Sequence, residues 1–299
     1  MHSHEHAHPA FENLSFSFVI AIIANLAFTI FEAIYAVLTN SASLLADAGH
    51  NLSDVLGLLL AWGAAYLATR TASHLYSYGF RKTTILAALT NAIVLILTAA
   101  FIGIEALDKL VNPSAMSEIT VMLVAGIGIA VNTGTALLFR KDSKKDLNIK
   151  GAYLHLAYDA LISVGVVISA AFIYLTGWLW LDGLTGLIIV SVILWGTWSL
   201  LKDSTNLILD AVPGHINREE VINYLRSIEG VEEVHDLHIW ALSTNETSMT
   251  AHLVMPERPL WESESEYGDI DATLKRRFDI HHVTLQIEKD NQCVTQDCN

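Results

Sequence analysis

Cysteine is almost missing from this chain. Among 299 residues only Cys293 and Cys298 carry thiols, both within the last seven positions. A disulfide framework therefore does not hold the fold together. Charge is also scarce, at 16% of residues, against about 25% for an ordinary soluble protein. With 53% hydrophobic residues beside it, that deficit excludes a disordered or collagen-like chain and argues against a cytosolic enzyme. Positive charge is the scarcest of all, 17 Lys and Arg against 31 Asp and Glu. Residues 213–299 alone hold 17 acids and 7 bases, −10 of the net −14. Phosphate binding needs a basic face, so nucleic acid is excluded as a partner.

What the chain has in abundance is long apolar runs, with a mean hydropathy of +0.43. Six blocks, residues 15–38, 43–68, 83–107, 117–139, 151–175 and 179–201, each reach the roughly 20 residues that a helix needs to cross a bilayer. A His-rich leader without Lys or Arg precedes the first block, and no small-residue cleavage site ends it. It therefore reads as a retained span. Lys and Arg in short loops set the orientation. Arg70, Arg81 and Lys82 lie in the second loop, Arg140, Lys141, Lys144, Lys145 and Lys150 in the fourth, and Lys202 follows the last span. Only Lys109 falls on the opposite side. Both termini are thus expected in the cytoplasm.

Three regions follow: a leader over 1–14, a six-helix membrane domain over 15–202, and a cytoplasmic domain over 203–299. In the last, residues 217–230 and 267–278 have helical stripes, while 234–242, 248–255 and 283–287 alternate as strands. The order αββαβ predicts an α+β domain, a small sheet covered on one face by two helices.

Ionisable groups inside spans cost at least about 2.5 kcal/mol each, yet they are present. The second span carries Asp47, His50 and Asp54, and the fifth carries His155 and Asp159. Spacings of three and four put each set on one helical face. Two HxxxD pairs supply two imidazole nitrogens and two carboxylate oxygens, a tetrahedral set suited to Zn²⁺. No cationic side chain lies within either span to neutralise the aspartates; a divalent cation does so. Asp47 reads as a proton site, a ligand on the entrance path or a helix cap. Counted from the outer span ends, Asp54 and Asp159 differ in depth, so a boundary lies elsewhere, or the fifth span tilts or bends near Gly165. Asn25, Glu32 and Asp182 read as packing or hydrogen-bonding residues, and His74 as a solvated loop histidine. The leader's His2, His4, His6 and His8 form a loose lure for divalent metal.

In the tail, strand parity puts Leu237 and Ile239 on the covered face and His238, His252 and Glu288 on the open one. Together with His235, His281, His282, Cys293 and Cys298 they outline a cytosolic metal site, since thiols in a reducing compartment favour metal over disulfide.

These residues resemble the cation diffusion facilitator family, in its zinc-selective branch. The likeness rests on SASLLADAGHNLSDV, HLYSYGFRK, HLAYDALISVGV, LDGLTGLIIV, ILDAVP, VHDLHIW, TAHLV and VTLQIE, and it covers nearly the whole chain. It implies a homodimer of six-helix protomers in the inner membrane, with a ferredoxin-like cytoplasmic domain at the dimer contact. It also implies a transport site at His50, Asp54, His155 and Asp159, and cytosolic zinc at His235, His252 and Glu288 with His281 as a possible fourth. Parity prefers His238 to His235; the resemblance points to His235, and we follow it. Two features depart from one relative's pattern. His74 has no Asp beside it, and Cys293 and Cys298 have four residues between them rather than two.

The expected activity is Zn²⁺/H⁺ antiport out of the cytoplasm, because His and Asp bind metal only when deprotonated. Zn²⁺ is then both substrate and regulatory ligand, with protons and membrane lipid as the other partners. Two other classes compete. An intramembrane zinc hydrolase needs three ligands, an open water position and a base, typically HExxH, and no such motif lies in a span. A membrane metal sensor would use the tail without needing the HxxxD pairs. Cd²⁺, Co²⁺, Fe²⁺ or Mn²⁺ as main substrate are variants of the transporter.

Overall fold

The computed structural model describes residues 16–139, 147–256 and 264–290. It contains eight helices and three strands: α1 (Phe16–Thr39), α2 (Ala42–Ala68), α3 (Thr83–Val111), α4 (Glu118–Phe139), α5 (Leu147–Thr176), α6 (Trp180–Ile208), α7 (Arg218–Arg226), β1 (Glu233–Ala241), β2 (Thr247–Val254), α8 (Glu264–Phe278) and β3 (His282–Glu288). Helices α2 to α6 are long and apolar enough to cross a membrane, and the described side chains of α1, Ile23–Thr39, form a shorter apolar helix. Helix α6 runs seven residues past the predicted span end at 201, through Ile208.

The chain divides into two compact units. One runs to Leu58 and resumes over Ile93–Thr197; the other holds Leu59–Ala92 and the chain from Trp198 onward. In the first unit the core gathers Leu44, Leu95, Ile102, Val121, Val166 and Ile173. Its helices end where the chain can reverse cheaply. Asn40 takes φ 56, a left-handed conformation that Asn tolerates, and Ser41 N–H reaches back to the Ala36 carbonyl at 3.3 Å. This closes α1 and opens α2 two residues later.

A distant carboxylate receives the start of α2. Asp182, buried at the first turn of α6, accepts from Ala42 N–H at 2.6 Å, Ser43 N–H at 3.1 Å, and the hydroxyls of Ser41 and Ser43. An anion there satisfies two orphan amides and complements the positive end of the helix. Beside it, Gly183 lets α6 lie against α3, for a Cβ on it would stand 2.6 Å from both the Ala106 carbonyl and the Leu110 nitrogen. Helix α5 runs without a break through Gly165.

In the second unit the tail has the expected αββαβ order, and β2 lies between its neighbours, antiparallel to β1 and parallel to β3. Asn217 caps α7 by accepting from Glu219 N–H at 3.1 Å. The core is Val221, Leu225, Ile239, Met249, Leu253 and Leu274, with both helices on the same side of the sheet. Before this domain, Asp210 adopts φ 59 and ends α6, with Ala211 N–H bonded to the Asn206 carbonyl at 3.0 Å. Asp210 also meets Lys82 at 2.7 Å.

Asp182→Ala leaves two amide and two hydroxyl donors of the α2 start without an acceptor. Each unmade buried hydrogen bond costs about 1–3 kcal/mol, so the variant should melt well below the unaltered protein in detergent, as a thermal unfolding scan of the purified protein will read.

Candidate metal-binding sites

Helices α2 and α5 bring the two HxxxD pairs together. His50 Nε2 lies 3.5 Å from Asp54 Oδ2 and 3.5 Å from Asp159 Oδ1. His155 Nε2 lies 3.4 Å from Asp54 Oδ2 and 3.6 Å from Asp159 Oδ2. Ligand atoms of His50, Asp54 and Asp159 all fall within 4.8 Å of one another. Asp159 is buried, His50 and Asp54 are half-buried, and His155 is the exposed member. Asp54 Oδ2, Asp159 Oδ1 and His50 Nδ1 have no hydrogen-bond partner among the described residues. Unmatched carboxylate oxygens in an apolar interior are costly, and here they lie beside imidazole nitrogens.

Zinc binds nitrogen and oxygen at about 2.0–2.2 Å, so a tetrahedron around it has edges of about 3.3–3.6 Å. Three separations that use Oδ2 of both aspartates, His50 to Asp54 and His155 to Asp54 and Asp159, measure 3.4–3.6 Å. His50 meets Asp159 through the other oxygen, Oδ1, and His155 lies outside the group whose ligand atoms are all within 4.8 Å of one another. The depth disagreement seen in the sequence persists. Asp54 lies 12 residues from Ala42 (54 − 42) and Asp159 lies 17 from Thr176 (176 − 159). The ends of the two helices therefore lie at unequal heights from the shared site.

Asp47 lies apart from this set. Fully buried, it accepts from Ser163 Oγ at 2.8 Å, and Asn51 Nδ2 donates to the equally buried Glu32 at 2.9 Å. His74 is exposed in the α2–α3 loop and joins no cluster of metal-ligating residues among those described.

In the tail, His235, His252 and Glu288 offer ligand atoms within 4.8 Å of one another, one from each strand. His235 Nε2 is 3.1 Å from Glu288 Oε2 and His252 Nδ1 is 3.0 Å from Glu288 Oε1. Pleat parity alone misplaces His235, because β1 is bulged. His235 pairs with His252 and His238 with Thr250, three residues on β1 against two on β2. The extra residue returns both histidines to the open face. Asp236 sits in the bulge at φ 50, its carboxylate 3.5 Å from His252 and 2.9 Å from His238. Asp236 went unnoticed in the sequence; an Asp inside an otherwise alternating strand was its signal, since Asp disfavours strands and tolerates the left-handed region. His281 is not drawn into the trio and lies 3.5 Å from Asp279. His282 instead takes part in a contact at 2.7 Å with Arg81, which also pairs with Glu246 at 2.6 Å. Cys293, Cys298 and the leader histidines lie outside the described residues.

Two family models cover the chain. Residues 18–209 match the cation efflux transmembrane domain, and residues 213–290 match the cation efflux protein cytoplasmic domain. The chain belongs to the cation efflux family. Its relatives are transporters. The cadmium, cobalt and zinc/H(+)-K(+) antiporter of Bacillus subtilis (strain 168) is 35% identical, over 91% of this chain and 88% of its own. The metal cation efflux system protein CzcD of Cupriavidus metallidurans is also 35% identical, over 95% and 89%. The zinc transporter ZitB of Escherichia coli (strain K12) is 31% identical, over 100% and 95%. As a cation efflux protein, the chain is a multi-pass membrane transporter.

The bulge in this cation efflux protein yields a backbone test. A β-branched side chain at a left-handed position costs about 1–2 kcal/mol, whereas glycine adopts it freely. Asp236→Val should therefore lower the tail's unfolding midpoint by more than Asp236→Gly, although both remove the carboxylate. Denaturant melts of the two variants followed by Trp240 fluorescence will measure the difference.

Proposed function

We propose that this cation efflux protein exports Zn²⁺ from the cytoplasm in exchange for protons, through a four-ligand site of His50, Asp54, His155 and Asp159. The observation that carries the reading is the set of four nitrogen–oxygen separations of 3.4–3.6 Å between two neutralisable carboxylates and two imidazoles. They are separations that ligands of one zinc ion show, with Asp159 turning one oxygen toward each imidazole. The relatives' names, zinc transporter and zinc/H(+)-K(+) antiporter, support both the ion and the coupling. Four protein ligands leave no open position for a reacting water, so the chemistry is carriage rather than hydrolysis.

Protons and zinc compete for the same lone pairs. Zinc bound from the cytoplasm displaces protons from His50 and His155; release on the other side lets protons refill the ligands, and each proton moving inward gains about 2.3 kcal/mol per 100 mV of membrane potential. The nine-to-one excess of Lys and Arg in the even-numbered loops and after α6 supports cytoplasmic termini in the cell membrane. The domain division at 14/15 and 202/203 goes with it. Cd²⁺ and Co²⁺ are further substrates on this reading, since N2O2 geometry discriminates poorly among them and one relative's name includes both.

The tail trio of His235, His252 and Glu288 holds a second, regulatory zinc, and the tail forms the contact of a homodimer. One ligand per strand lets the ion tie all three together. By mass action on the folded state, zinc then stabilises the domain.

Asp54→Ala and Asp159→Ala should each reduce zinc uptake by proteoliposomes under a pH gradient to the level of protein-free vesicles, with an unchanged elution profile. Zinc flux like that of the unaltered protein in either variant overturns the transport site. His50→Asp replaces a borderline nitrogen with a hard oxygen and should raise the rate for Mn²⁺ relative to Zn²⁺; unchanged relative rates count against the ligand role. For the tail, zinc should slow amide exchange in β1, β2 and β3 of the full chain, and Glu288→Ala should abolish that protection.

A further inference from the structure

The helices that carry the HxxxD pairs also hold a buried carboxyl pair that metal binding leaves unused. Glu32 of α1 and Asp47 of α2 have no solvent exposure, and Asn51, which holds Glu32, stands one turn from Asp47 on the same face of α2. Each has one oxygen satisfied. Asn51 Nδ2 donates to Glu32 Oε2 at 2.9 Å, and Ser163 Oγ donates to Asp47 Oδ2 at 2.8 Å. The other two oxygens, Glu32 Oε1 and Asp47 Oδ1, have no donor among the described residues.

Among the described neighbours that act on the pair, His50 alone can oppose its charge. The ionisable groups that act on the pair are His50 on α2 and Asp159 on α5, with no Lys or Arg among them. Gly128 of α4 lies beside Ser163 and brings no charge. Two adjacent carboxylates in a low-dielectric interior cannot both be ionised, so one proton must lie between them. A metal ion suits the place poorly. Asn51 and Ser163 each turn a donor N–H or O–H toward the pair, and only two carboxylates supply oxygen.

We infer that Glu32 and Asp47 share one proton and form a proton-carrying station one helical turn from the transport site. Asp47 and His50 are three residues apart, on one face of α2. Zinc at the HxxxD set brings positive charge close to the pair and favours its ionised form, so the proton leaves as metal arrives and returns after metal departs. Of the roles open to Asp47 in the sequence, this selects the proton site. The inference rests on the antiport reading above.

Two measurements on the full-length protein test it. Infrared spectroscopy near neutral pH should show the carbonyl band of a protonated buried carboxylic acid, shifted in heavy water and lost in both Glu32→Gln and Asp47→Asn. Absence of the band from the unaltered protein overturns the station whatever transport shows. In proteoliposomes carrying a pH-sensitive dye, Glu32→Gln should move one proton fewer per zinc ion, and its zinc affinity should depend less steeply on pH, because the coupling is reciprocal. An unaltered proton-to-zinc ratio, or an unaltered pH dependence of zinc affinity, in Glu32→Gln overturns the station. Failure of the unaltered protein to take up zinc on a pH gradient is a failure of the antiport reading instead, and the infrared band then decides the shared proton alone.

Discussion

Uncompensated negative charge in an apolar interior is the constraint on which the membrane half of this protein depends. Glu32, Asp47, Asp54, Asp159 and Asp182 all lie in helices α1, α2, α5 and α6, and each is handled differently. Asp182 has both oxygens occupied by donors at the start of α2, which makes it a structural anion with nothing left to offer a ligand. Glu32 and Asp47 each have one donor and share the rest of their burden. Asp54 and Asp159 face only imidazoles. The gradation in available donors separates the carboxylate that builds the fold from those that can hold a cation, without reference to their positions in the chain.

The tail meets the same ligand chemistry with different means. Within a helix, a spacing of four aligns His and Asp automatically. In a three-stranded sheet with β2 in the centre, three ligands converge only if every strand presents the right face at the right register. Here β1 requires an extra residue to do so, and Asp236 provides the unusual backbone. The helical set is a local property of two segments; the sheet set is a property of the whole domain.

That difference also explains what could be read from the sequence. Charged residues interrupting apolar runs identify the HxxxD pairs, because the cost of burying them leaves few innocent explanations. The order αββαβ was legible from period and turn residues, and its observed boundaries lie close to those expected. The placement of His235 was not legible from the residues themselves, since a bulge leaves no period of its own; the family resemblance supplied it. Asp182 was legible as a hydrogen-bonding residue, but its partners at the α2 start, some 140 positions earlier, were not, because no local pattern encodes so distant a pairing. The extension of α6 through Ile208 lies beyond the apolar block, in polar sequence where hydropathy has no signal.

The distance between Asp182 and the helix it caps also sets a timetable. The ribosome delivers α2 with His50 and Asp54 already in it, while the acceptor for its first turn arrives only with α6, the last of the membrane helices. Until then the start of α2 carries amides without that acceptor, which an apolar surrounding penalises. The cap of α2 therefore waits for the last membrane helix. A chain that stops before α6 holds both HxxxD pairs but not the carboxylate that anchors the helix carrying one of them.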